Sequence, residues 1–458
     1  MGKPKKKFKL FDAVLMSVCV VLVVESAAPS AAIGASQFFW WILLLVLFFI
    51  PYGFVSAELG TTYDDEGGIY DWVKKAFGRK WGGRVAWFYW INYPIWMASL
   101  AVLFMEVIEQ IFTIQISTPV AIICQLIFIW LICFISCFPV SDSKWILNVA
   151  AFCKVFIMLS LGVLGIYHAV TKGVANDFSL PHLLPSFDLK SLSFMSVILF
   201  NFLGFEVVTS LASDMENPKK QIPQALIYGG LLIVFFYLLA AFGMGVAIPT
   251  EELSTSGGLV ESFILLIGGL NPFVVIIGLL FMFTLIANLV SWALGVNYVA
   301  MYAAHHNDMP AVFGIQNKKN EMPVGASVIN GIVASLLVIA APLIPNENIF
   351  WAFFALNVVA LLFSYILMFP AFLKLRKIDP DRERPFKVKA GPFMLKCITY
   401  VPMVLLIVTL FFSVVPLSSD EMGEKIPILI GTVVATIIGE ICIRYAFKKK
   451  KYPEKEQK

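Results

Sequence analysis

Hydrophobic positions in this chain come in blocks of roughly twenty residues, apolar on every side, with polar residues confined to short gaps between them. Such blocks are the length needed to cross a hydrocarbon core as a helix, and they lack the one-in-two alternation of strands. Twelve are counted, near 11–35, 38–62, 84–114, 118–139, 145–170, 192–213, 224–248, 272–304, 324–345, 349–374, 396–416 and 426–447. They are numbered here as segments 1 to 12. An even number puts both termini on one side. The longest gaps, near 374–395 and 249–271, are too short for a separate soluble domain. The second contains Ser256–Gly269, apolar enough to lie as an interfacial helix over the external face.

Composition agrees with an all-α polytopic membrane protein. Of 458 residues, 59% are hydrophobic and 14% charged, with 41 Phe and 11 Trp; mean hydropathy is +0.85. A soluble surface of this size needs more charge. The basic residues report topology: with the N-terminus inside, 30 of the 34 Lys and Arg fall on the inner side, as the positive-inside rule requires. The net charge of +4 therefore implies no nucleic-acid partner. The basic start before segment 1 looks like the n-region of a signal peptide, but its apolar run is too long and lacks a convincing cleavage site. It reads as the first membrane helix. The seven cysteines show no CxxC or Cys/His ligand spacing, so neither a disulfide framework nor a metal site is expected.

Charge inside a span costs about 2.5–3.5 kcal/mol on insertion scales, which singles out Glu25 (segment 1), Glu58 (segment 2), Lys154 (segment 5) and Glu206 (segment 6). Segment 1 is interrupted at mid-depth by Glu25-Ser26-Ala27-Ala28-Pro29-Ser30, where the proline removes a donor and serines can bond freed carbonyls. Segment 6 is interrupted by Asn201-Phe202-Leu203-Gly204-Phe205-Glu206. Paired interruptions five segments apart point to an inverted-repeat transporter with its substrate at the midplane. Glu58, near the inner end of segment 2, is expected to pair with a loop base such as Lys74 or Arg84 and to be structural or gating. The loop Asp64-Asp65-Glu66 puts three acids at the inner mouth.

These features, with Glu66-Gly67-Gly68-Ile69-Tyr70-Asp71-Trp72-Val73…Phe77-Gly78 after segment 2, Phe202-Leu203-Gly204-Phe205-Glu206, and Asn217-Pro218-Lys219-Lys220 followed by Ile222-Pro223, resemble the amino acid–polyamine–organocation superfamily of transporters over nearly the whole chain. The resemblance implies a five-plus-five inverted repeat with broken helices 1 and 6, two additional C-terminal helices, and alternating access. The corresponding organisation is a basic N-terminal arm (1–10), a ten-helix core (11–374), helices 11 and 12 (396–447) and a basic tail (448–458). Both ends are expected in the cytoplasm of a bacterial cell, around a multi-pass plasma-membrane protein.

One departure from the superfamily bears on substrate. Much of it places a glycine-rich turn in segment 1, whose amides hold an amino acid carboxylate; here Glu25 stands in that stretch. A carboxylate there repels another and attracts an ammonium. The resemblance to arginine/agmatine-type exchangers further maps a stacking tryptophan onto Trp292 and a gating aromatic onto Phe200, whose faces suit cations. Glu206, or carbonyls freed at the segment 6 break, is expected to meet the second cationic group, and Tyr93, Ser26, Gly204 and Asn357 complete the expected substrate site. Among sodium-independent relatives a lysine in segment 5 can occupy the place of sodium, and Lys154 resembles it, either replacing the ion or cycling a proton.

Enzyme chemistry is not expected: His168 and His182 lie toward the outside, His305 and His306 toward the inside, and neither a nucleophile constellation nor a P-loop is present. Repeated pore loops of a channel are also missing. The substrates expected are small cationic amines or amino acids, with membrane lipid around the protein and no cofactor. The nearest resemblance is to bacterial agmatine/putrescine antiporters, whose substrates are cationic at both ends. The alternative is an amino acid/amine exchanger, for tyrosine and tyramine or glutamate and an amine, with Glu25 protonated.

Overall fold

The computed structural model describes residues 9–63, 65, 67–138, 144–206, 216–344 and 348–449. Among these residues every regular element is helical. Ten helices are long and apolar enough to cross a membrane: Gln37–Thr62, Arg79–Phe112, Thr118–Ile135, Asn148–Thr171, Lys219–Ala247, Pro272–His305, Val324–Leu343, Ile349–Ile378, Pro392–Val414 and Met422–Lys448. Each corresponds to one of the expected apolar segments. The two left over, 1 and 6, are the interrupted ones.

The 34-residue helix Arg79–Phe112 is the axis of the bundle. It packs against Ile349–Tyr365, Pro272–His305, Val324–Ala340, Thr118–Ile135 and Met422–Lys448. Its buried face includes Trp87, Tyr89, Trp90, Tyr93 and Trp96. Large aromatic side chains supply the area and dispersion contacts that hold helices together where lipid removes the hydrophobic drive between them. The outward faces carry exposed Ile, Leu, Val and Phe, such as Ile123, Ile127, Phe152 and Ile441, as a lipid-facing surface requires.

Segment 1 begins as Leu10–Val21, becomes extended at Val23 (φ −116°, ψ 103°), tightens into a single 3-10 turn at Val24–Ser26 and resumes as the short helix Ala27–Ala31. The interruption thus lies on the N-terminal side of the stretch from Glu25 to Pro29, where the sequence had pointed. Pro29 is harmless where it sits: it occupies the first turn of Ala27–Ala31, where a backbone N–H has no helical acceptor to lose. The run Val20-Val21-Leu22-Val23-Val24, stiff at χ1, is where the helix yields instead.

In segment 6 the helix Leu189–Phe200 ends in the turn Asn201–Gly204, with helical geometry again at Phe205 and Glu206; the remainder, 207–213, lies outside the described residues. Gly204 has φ +107°, a conformation that a side chain rarely allows.

Two shorter helices frame these breaks. The apolar stretch Ser256–Gly269 forms the helix Gly258–Ile267, which packs on Ala27–Ala31 and on the Pro218–Ala247 helix and buries Leu259, Val260, Phe263 and Leu266. The loop after segment 2 is a helix, Gly68–Phe77, with Ile69, Tyr70, Trp72 and Val73 buried. Its apolar residues recur at i, i+3 and i+4, a periodicity too short to stand out beside the long blocks.

Candidate functional site

Glu25 is 2% exposed. The Nδ2 of Asn288 donates to both of its carboxylate oxygens, at 3.1 and 2.9 Å. Lys154, 3% exposed, acts electrostatically on the same carboxylate, and its helix packs beside the Val24–Ser26 turn. Burial places the ammonium within the bundle, away from the interface to which long cationic chains otherwise reach. An ionised carboxylate has about four acceptor positions, so Glu25 keeps capacity beyond the Asn288 amide.

The broken backbone next to Glu25 is closed by one side chain. Tyr237 Oη accepts the Val23 amide hydrogen at 2.9 Å and donates to the Val23 carbonyl at 3.0 Å. Ser26 Oγ adds a bond to the same carbonyl at 2.7 Å and lies 3.2 Å from the Tyr237 hydroxyl. The groups that a helix would pair internally are therefore paired to the Pro218–Ala247 helix. Trp41 stacks on the Tyr237 ring (4.3 Å, 14°) and holds it in place.

Glu206 sits in a cage of hydroxyls. Tyr365 donates to Oε1 at 2.6 Å, Tyr89 to Oε1 at 3.3 Å, and Tyr52 to Oε2. The Tyr52 hydroxyl also accepts the Gly204 amide hydrogen at 3.1 Å, so it ties the carboxylate to the turn that carries it. Three neutral donors converge on one half-buried carboxylate and hydrogen-bond its charge.

Between the two breaks stands an aromatic wall. A Cβ on Gly204 would lie 3.3 Å from both Cζ2 of Trp292 and Cγ1 of Val20, so Trp292 packs where segments 1 and 6 approach. Trp292 meets Trp96 edge-on (6.0 Å, 84°), Trp96 meets Phe200 (6.4 Å, 76°), and Phe200 meets Phe354 (5.6 Å, 71°). Several polar atoms here are buried and unpartnered: Trp292 Nε1, Trp96 Nε1 and both amide atoms of Asn201 and of Asn357. Unpaired buried amides are costly, and their concentration in one region suits a polar guest. The Tyr93 hydroxyl donates to the Leu289 carbonyl at 2.7 Å, beside Asn288, and links its helix to Pro272–His305. Glu25, Ser26, Gly204 and Glu206 lie at the two breaks themselves, Phe200 ends the helix before the second, and Lys154, Trp292 and Asn357 lie on helices packed against them.

Toward the other end of segment 2, Glu58 is 1% exposed and bound by the forked guanidinium of Arg376, by Arg384 at 3.4 Å and by the Val388 amide at 2.7 Å. It pairs with neither Lys74 nor Arg84, the bases expected from the loop after segment 2; its loop partner is Arg384, in the gap after segment 10. Lys74 and Arg79 bind the fully buried Asp308 at 3.1 and 2.7 Å, joined by Tyr70 at 2.6 Å, and Arg84 pairs with Glu440. Of the three expected inner-mouth acids, Asp64 and Glu66 lie outside the described residues. The Lys75 hydrogen bond holds the Asp65 carboxyl below its ordinary range, while burial pushes Asp71 up.

Residues 8–438 match the sequence profile of the amino acid permease family. The chain belongs to the amino acid permease family. A protein of Lactococcus lactis named as a probable agmatine/putrescine antiporter is 54% identical over 97% of this chain and 96% of its own. A glutamate/gamma-aminobutyrate antiporter of the same species is 25% identical over 95% of this chain and 90% of its own. A probable polyamine transporter of Arabidopsis thaliana is 25% identical over 81% and 74%.

Sequence reasoning missed the partners that shape this permease's centre: Asn288 on Glu25, Tyr237 on the first break, and Tyr52, Tyr89 and Tyr365 on Glu206. Asn288 carried a usable signal, because an amide inside an apolar helix, one turn from Trp292, is a polar residue that needs a reason. The tyrosines carried none, in a chain that is 14% aromatic.

Proposed function

We propose that this permease is a sodium-independent antiporter that exchanges agmatine for putrescine by alternating access. The observation that carries the reading is the buried Glu25 carboxylate at the segment 1 break, bonded to a neutral amide and retaining acceptor capacity. It is suited to a substrate ammonium or guanidinium and hostile to a substrate carboxylate. The 54% identical relative named for agmatine and putrescine supports the choice of pair.

In this reading one cationic end of the amine meets Glu25. The other meets the segment 6 turn, where the Asn201 amide and that of Asn357 on the Ile349–Tyr365 helix supply oxygen acceptors, and the carbon chain lies on Trp292 and Trp96. Glu206, held by three tyrosines, orders the turn instead of giving up its donors. Phe200 closes over the substrate. Lys154 keeps a fixed positive charge beside the first break and so replaces a coupling sodium. Twelve spans, the ten long helices plus segments 1 and 6, form two inverted five-span repeats and a final pair, with both termini cytoplasmic. Segments 1, 2, 6 and 7 rock against the rest.

Counterflow in proteoliposomes tests this. Vesicles loaded with putrescine are expected to take up labelled agmatine without sodium, with competition by putrescine and cadaverine and none by glutamate or tyrosine. Competition by those amino acids would favour an amino acid/amine exchanger, and uptake abolished when choline replaces sodium would remove the role given to Lys154.

A further inference from the structure

We infer that a groove between segments 2, 7 and 11 is a binding site for one anionic phospholipid. The groove has a volume of about 760 Å3, within the roughly 300–1,000 Å3 of small-molecule sites. Its floor is apolar, with Val46, Ile50 and Phe54 on one side and Met394 and Ile398 on the other. Its rim is basic: Lys219, Lys387 and Lys389 line it and are exposed. Among the described residues none of the three lysines takes an ion pair, and no carboxylate lines the groove.

Two further observations separate these lysines from ordinary surface charge. Arg384, which also lines the groove, is already spent on Glu58 and on the Asp379 and Arg382 carbonyls. The loop that presents Lys387 and Lys389 is fixed by the Glu58 bond to the Val388 amide and by Phe386 stacked on Phe54 (6.4 Å, 11°). The lysines therefore stand on an anchored strand of chain, over a preformed groove. From Phe54 to Val46 the floor follows two turns of helix, on the order of 10 Å. A free phosphate needs only the rim; a rim plus this length of apolar floor matches a headgroup and the first part of an acyl chain. Basic pockets between spans on the cytoplasmic face are the usual form of such sites.

The inference uses the orientation proposed above, with this rim at the inner leaflet, but binding in detergent depends neither on sidedness nor on amine exchange. The test is native mass spectrometry of the full chain in mixed micelles of phosphatidylglycerol and phosphatidylcholine. One retained phosphatidylglycerol in preference to phosphatidylcholine is expected. Each lysine near an anionic lipid contributes about fivefold, so Lys219→Gln/Lys387→Gln/Lys389→Gln is expected to cut retention at least about tenfold, and the corresponding triple Lys→Arg variant to restore it. Equal retention of both lipids, or unchanged retention in the glutamine variant, would overturn the site. Displacement by inorganic phosphate as effective as by phosphatidylglycerol would also overturn it, because the groove would then be a simple anion site.

Discussion

Asn288 offers one amide nitrogen to both oxygens of Glu25, and it stands one helical turn before Trp292 on the same helix. The carboxylate and the aromatic face are thus set by a single rigid element. In Glu25→Gln the charge disappears while the shape remains. Hydrogen bonds to charged groups contribute about 1.5–3 kcal/mol, so agmatine affinity is expected to fall about 10–150-fold by calorimetry, with thermal stability kept. Wild-type affinity in this variant would remove the basis of the cation argument.

Trp292→Ala is expected to weaken agmatine binding about tenfold and Trp292→Phe less, since a desolvated cation–π contact contributes about 1–2 kcal/mol and survives on a smaller ring. The same calorimetric titration separates the two variants. Equal loss in both would assign Trp292 to packing against Gly204.

The hydroxyls around Glu206 make different contributions. Tyr365→Phe removes one donor, whereas Tyr52→Phe also leaves the Gly204 amide without its acceptor. Each lost bond to a charged group costs about 1–3 kcal/mol, and Tyr52→Phe is expected to lower the melting temperature in detergent further than Tyr365→Phe. The reverse order would mean that the bond to Gly204 contributes nothing.

Gly204→Ala should fold and fail to transport. At φ +107° a side chain adds strain of about 1–3 kcal/mol, and its Cβ meets Trp292 and Val20 at 3.3 Å. Counterflow near background with a normal gel-filtration profile is the expected pair of results; normal counterflow would show that the turn relaxes freely.

Glu58→Gln leaves the half-buried Arg376 and Arg384 beside a neutral amide. Breaking a buried pair costs about 3–5 kcal/mol, and the loop through Val388 loses its anchor. Faster tryptic cleavage at Arg382 and a lower melting temperature are expected; an unchanged digestion pattern would place the anchor elsewhere.

How far the sequence reaches depends on what each feature costs. Ten helices were legible because twenty apolar residues have few alternatives, and Glu25, Lys154 and Glu206 were legible because charge in a span needs a reason. The place of the first break was only approximate. Proline reads as a breaker, but Pro29 falls in a first turn, and the helix opens at Val23, where Tyr237 waits 214 positions away. The partners of Glu58 were wrong for a similar reason: nearby bases in sequence lost to Arg376, 318 positions on.

The Tyr237 clasp on Val23 has a mechanical meaning. A gap in a helix is ordinarily a loose hinge, free to straighten or bend. Here the gap can heal into continuous helix only by letting go of the Pro218–Ala247 helix, because the hydroxyl that would be released already holds both the amide and the carbonyl. The two segments are in effect spliced, so a tilt of one is delivered to the other without slack, and the joint itself is not where the movement is absorbed.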